Sequence, residues 1–97
     1  MKAQDRIENQ QLDDRTIYLW GMVNDKSARH VVDRLMYLDS LNNDEIKLYI
    51  NSPGGYVTSG FSIYDTIKSI KSPVSTICTG LAASMGSIIL SAGEKGR

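Results

Sequence analysis

A single cysteine, Cys78, excludes an internal disulfide. Lysine plus arginine number 11 and aspartate plus glutamate number 11, so no net field draws nucleic acid or an anionic membrane. The longest apolar runs extend only a few residues, far short of a membrane span, and no stretch has the charged start, apolar middle and small-residue cleavage site of a signal peptide. These absences predict a cytoplasmic protein without a nucleic-acid or membrane partner. What the 97 residues do hold, at 41% hydrophobic, is enough apolar material for one modest core.

Residues 1–15 are polar apart from Ile7 and Leu12, and are expected to form a short arm or marginal helix. Thr16 to Val23 is β-branched, aromatic and apolar almost throughout, which predicts a strand buried on both faces. Asn24-Asp25 supplies an N-cap for a helix from about Lys26 to Leu41, with Val31, Leu35 and Leu38 on its buried stripe. Asn42-Asn43 ends it, asparagine tolerating the left-handed conformation common past a helix. Glu45 to Asn51 reads as a second strand, Val57 to Ile70 as a helix carrying Ile63, Ile67 and Ile70, and Val74 to Thr79 as a third strand with Cys78 as small core filling. Gly60 inside the second helix implies a close backbone passing by. Strand and helix alternate, so an α/β class with a parallel sheet follows.

Two stretches carry candidate chemistry. From Gly80 to Ala92, small residues crowd Ser84, and Met85 to Ala92 reads as an apolar helix starting at that serine. The pattern is a relative of the Gly-x-Ser-x-Gly nucleophile elbow with Ala82 in place of the first glycine. An ordinary N-cap serine fits the same residues. Upstream, Asn51-Ser52-Pro53-Gly54-Gly55 follows a strand and leaves backbone N–H groups free to face an oxyanion. A plain Pro-Gly turn fits that stretch equally. His30 is the only histidine and thus the only imidazole base within these residues, although a surface or half-buried helix histidine is the commoner case.

Taken together, Asn51 to Gly55, Ser62 to Ile67 and Ala82-Ala83-Ser84-Met85-Gly86 resemble the proteolytic-subunit family of the Clp protease, from about Arg15 to Arg97. The resemblance implies the ClpP/crotonase-like superhelix of strand-helix units, with residues 16–97 as a partial peptidase domain. It makes Ser84 the nucleophile, the backbone N–H groups of Gly55 and Met85 the oxyanion hole, and the backbone of Gly55, Tyr56 and Val57 the strip that pairs with extended substrate. The implied reaction is serine endopeptidase cleavage of unfolded protein through an acyl-enzyme. No metal and no cofactor are implied for this chain, ATP being used by a partner unfoldase of the AAA+ class. The family assembles as two stacked heptameric rings, and Tyr49 and Ile77 match positions in the pocket that receives unfoldase loops.

The family's histidine and aspartate lie beyond the equivalent of Arg97, and Glu94 to Arg97 looks like the middle of a loop. The chain therefore reads as truncated before its C-terminal part, and by itself is expected to be inactive, because a serine without a base is a poor nucleophile. A non-catalytic paralogue that enters rings of full-length subunits, and a crotonase-like acyl-CoA enzyme, are the alternatives. Ala-Ala-Ser-Met-Gly and the lack of a basic patch for CoA weigh against the second.

Overall fold

The structure is a computed structural model and describes residues 2–94. Its elements run α1 (Ala3–Asp13), β1 (Thr16–Trp20), α2 (Asp25–Leu41), β2 (Ile46–Ser52), α3 (Val57–Ser69), β3 (Val74–Ala82) and α4 (Met85–Ser91). The three strands form one parallel sheet in the order β1-β2-β3. Each strand is followed by a helix that returns the chain to the same end, so all three strands point their C-terminal ends the same way. Lys95 to Arg97, most of the expected loop, lie outside the described residues.

Register explains the core. Ile17 and Leu19 pair with Leu48 and Ile50, and Ile46 and Leu48 pair with Val74 and Thr76, placing one apolar set on one face. Ala28, Val31, Leu35 and Leu38 of α2, Ile63 and Ile67 of α3, and Met85 and Ile89 of α4 complete that layer. Each such side chain gains roughly 1.5–3 kcal/mol from full burial. Asn24 starts α2 with a reciprocal cap, its side chain accepting from Ser27 N–H at 2.9 Å while Ser27 Oγ accepts from Asn24 N–H at 3.0 Å.

Five expectations need correction. β1 is not buried on both faces: Ile17 and Leu19 point inward, whereas Tyr18 is 38% and Trp20 56% exposed, because the helices cover one side of the sheet only. The strand also stops at Trp20, Gly21 turning at φ 83°, and Val23 pairs separately with Gly55. β3 continues through Ala82 past a register irregularity opposite Ile50 to Ser52, where the Asn51 side chain accepts from Leu81 N–H at 3.3 Å. Cys78 shares the inward register of Ile50 yet is exposed, since β3 has a neighbouring strand on one side only among the described residues. Asn42 is extended and not left-handed; its side chain accepts from Asp44 N–H at 2.9 Å instead.

The opposite end of the sheet is closed by Arg15. Its guanidinium donates to the carbonyls of Leu38 (3.0 Å), Asn42 (3.2 Å), Asp44 (2.8 Å) and Glu45 (3.3 Å) and to Ser72 Oγ (3.2 Å). Those carbonyls belong to the end of α2 and the approach to β2, where helix geometry leaves acceptors without partners and the dipole favours a cation. The backbone at Arg15 sits at φ 53°, uncommon for a residue with a side chain. Beside it the Asp39 carboxylate accepts from Ser72 N–H (2.9 Å), Ser72 Oγ–H (2.8 Å) and Asn43 Nδ2 (3.1 Å). The bonds from Ser72 hold the Asp39 carboxyl below its ordinary pKa.

Replacing Arg15 by alanine is expected to cost about 2 kcal/mol in urea unfolding, and a loss under half of that would show the clamp to be unimportant. The Asp39 shift gives a pH signature. Its ionised form favours the fold above the ordinary carboxylate range, and that contribution disappears as acid protonates it. Stability measured against pH should accordingly fall less steeply below about pH 4 in Asp39→Asn than in the native chain.

Candidate active site

Beyond Ser52, β2 leaves the sheet as Pro53-Gly54-Gly55-Tyr56 and enters α3 at Val57. The exit is held on both sides. Val23 N–H donates to Gly54 O and Tyr56 N–H to Val23 O, each at 2.8 Å, while Gly54 N–H donates to the buried Ser52 Oγ at 3.1 Å. Gly55 sits at φ 156°, and a Cβ there would overlap the Val23 carbonyl, so glycine is required by space. Because Gly54 and Tyr56 make the bonds to Val23, the Gly55 N–H faces away from that edge.

The second half of the site is the turn between β3 and α4. Ala83 N–H donates to Ser52 O at 3.0 Å, bringing the turn against the glycine exit. Ser84 then adopts φ 52° and ψ −121°, a region that side-chain-bearing residues seldom occupy and that costs of order 1–3 kcal/mol. Its side chain makes no capping bond, and the residue is exposed. An N-cap serine normally has extended backbone and accepts from the first helical turn, so Ser84 occupies the cap position without doing a cap's task. The strand-turn-helix with one strained serine is the geometry of a nucleophile elbow.

Gly54 joins the halves: a Cβ on it would lie 2.9 Å from Ser84 Cβ and 3.1 Å from both Ala83 O and Met85 N. Among the described residues, the N–H groups of Gly55 and Met85 donate to no protein acceptor. Met85 opens α4, where the first amides have no partner in the helix. Two uncommitted amides beside an outward hydroxyl suit acyl transfer, in which a tetrahedral oxyanion needs fixed donors.

Tyr56 and Val57, expected with Gly55 to meet substrate, are 65% and 61% exposed on the same rim. His30 lies elsewhere. It lines an open cleft of about 380 Å³ with Tyr18, Trp20, Met22, Asn24, Lys26 and Ser27, along β1, whereas Ser84 follows β3 on the far side of the sheet. Partial burial, then the Arg34 cation, lower its pKa against the opposing pull of Glu8. No cluster of three or more histidine, cysteine, aspartate or glutamate side chains suited to a metal ion occurs among the described residues. Residue-level reading missed Ser52, whose hydroxyl and carbonyl bind both halves, and Gly54, the glycine that touches Ser84. Their signal was the Ser-Pro-Gly-Gly run itself, whose glycines are read from sequence only as a turn that leaves N–H groups free.

The family model for the Clp protease matches residues 2–97. An ATP-dependent Clp protease proteolytic subunit from Carsonella ruddii (strain PV) is 56% identical over 91 residues, which is 94% of this chain and 47% of that protein. The crystal structure of the ClpP protease catalytic domain from Plasmodium falciparum superposes with a TM-score of 0.93 at 42% identity, covering 98% of this chain and 55% of the other. The chain thus spans about half the length of each.

Strain at Ser84 has a measurable consequence. Ser84→Gly is expected to raise stability by about 1 kcal/mol, the relieved backbone outweighing glycine's extra unfolded-state freedom. Ser84→Ala, which keeps the Cβ, should not. Equal thermal midpoints for the two variants would show that the turn is unstrained.

Proposed function

Because the chain belongs to the Clp protease family, we propose that it forms the Ser84-bearing part of a serine endopeptidase that cleaves unfolded polypeptides through an acyl-enzyme. The observation that carries this reading is the exposed, uncapped Ser84 at positive φ, packed on Gly54 beside the free amide of Met85.

Extended substrate pairs with the backbone of Gly55, Tyr56 and Val57, a mode that depends little on side-chain identity and so accepts many sequences. Ser84 Oγ attacks the scissile carbonyl carbon, and its proton passes to a general base. The carbonyl oxygen becomes an oxyanion that accepts hydrogen bonds from the N–H groups of Gly55 and Met85. Collapse breaks the C–N bond, the leaving amine takes the proton, and an ester on Ser84 remains. Water activated by the same base then releases the acid product and restores the hydroxyl. His30, lining the β1 cleft, is not assigned as that base; histidine and aspartate come from sequence outside these 97 residues. No cofactor takes part in this chemistry.

The reading includes assembly into stacked heptameric rings served by an AAA+ unfoldase that consumes the ATP, in the cytoplasm. Tyr49 and Ile77 are cross-strand partners on the outer face of the sheet, and Tyr18 stacks on Tyr49 at 5.2 Å. That continuous apolar row supports docking of the unfoldase there. No helix among the described residues is long and apolar enough to cross a membrane.

A fluorophosphonate probe and a fluorogenic peptide test the chemistry. At the length of its relatives, the protein is expected to cleave the peptide and take up the probe, and Ser84→Ala to abolish labelling and lower kcat/KM by about 10⁴-fold or more. The 97 residues alone should show no cleavage. Labelling that persists in Ser84→Ala would refute the assignment of the nucleophile.

A further inference from the structure

Gly60 lies inside α3, where glycine is the poorest helix former after proline, and it is buried. The sequence suggests a backbone passing close by; the neighbour is instead a side chain, that of Met85, itself 3% exposed. We propose that Gly60 is a positioning residue for the acyl-transfer site and that it acts through Met85. The inference rests on the reading of Ser84 and of the Met85 amide given above.

A Cβ on Gly60 would overlap Met85 Cγ and approach its Cε to 2.7 Å and its Sδ to 2.9 Å. Cγ is not the free end of the side chain, so swinging the terminal methyl cannot clear the overlap. Cγ is cleared either by turning the side chain about Cα–Cβ, which drives a side chain only 3% exposed into its packed neighbours, or by shifting the Cα that carries the donor amide. On its amide side Met85 faces the glycine exit, so close that a Cβ on Gly54 would lie 3.1 Å from Met85 N. Met85 thus lies between α3 on its side-chain side and the glycine exit on its amide side. The first turn of α3 is in turn tied to α2 by Ser59 Oγ, which donates to Asp25 Oδ1 at 2.7 Å. The backbone donor to the oxyanion takes its position from a side chain seated in a notch that only glycine leaves open.

A double-mutant cycle in the intact assembled protein tests this. Gly60→Ala is expected to lower kcat for a fluorogenic peptide at least tenfold with KM within twofold, and to lower the thermal midpoint. In a Met85→Ala background the same substitution should change kcat less than twofold and raise the midpoint, because the better helix former then meets no obstacle. Should Gly60→Ala fail to fold, Met85→Leu, which adds a branch at Cγ against an unaltered Gly60, is expected to give the same loss in kcat. An unchanged kcat in both Gly60→Ala and Met85→Leu, or an equal loss from Gly60→Ala in both backgrounds, overturns the proposal. Activity that survives Ser84→Ala sinks the site reading and the positioning role with it. That is distinct from a protein in which Ser84 is essential and Gly60 is not.

Discussion

The passage of the Ser52 to Gly55 backbone between Val23 and the Ser84 turn is the constraint on which the site depends. Three hydrogen bonds fix it: Val23 N–H to Gly54 O, Tyr56 N–H to Val23 O, and Ala83 N–H to Ser52 O. Two successive residues without Cβ atoms are needed for the backbones to come this close. At Gly55 the obstacle is the Val23 carbonyl, and at Gly54 it is Ser84 itself. The strand ends are thereby drawn into one cluster, and the amides that remain unpaired are those the cluster turns outward.

The two ends of the sheet divide the work. At the N-terminal ends of the strands, Arg15 and the Ser72 hydroxyl donate to the carbonyls at the end of α2 and the approach to β2, and Asp39 accepts from Ser72, so the loops there are bound together. At the C-terminal ends, backbone donors stay unsatisfied and Ser84 is strained. A parallel sheet places its loops on these two ends by topology. Strain and open donors at one end persist because the core layer and the clamp at the other end hold the strands in register.

Much of this was legible in the residues. Helix stripes such as Val31, Leu35 and Leu38 have the right period, and Asn24 is a cap by type, so α2 could be placed nearly to the residue. β1 was harder. Ile17, Tyr18, Leu19 and Trp20 are apolar in succession, and an aromatic facing solvent gives the same letter pattern as one facing a second layer; only the one-sided helix packing distinguishes them. Asn51 likewise gave no signal that its side chain would bridge an irregular register and let β3 run on to Ala82. At the site, Ser84 could be singled out by its small neighbours. The roles of Ser52 and Gly54 could not, because they arise from contacts between turns 30 residues apart.

The candidate machinery that these residues hold is of one kind. Gly55 and Met85 contribute main-chain N–H groups, Gly54 and Gly60 contribute absence of side chain, and Ser84 is aimed by its own φ and ψ. Such parts are set by local geometry and need no tuning of pKa. Proton transfer is a different demand, since a base has to be matched in pKa and placed within hydrogen-bond reach of the hydroxyl. Backbone geometry can hold an oxyanion but cannot carry a proton away, so in the proposed reaction these parts meet the electrostatic demand and the acid–base demand falls to side chains.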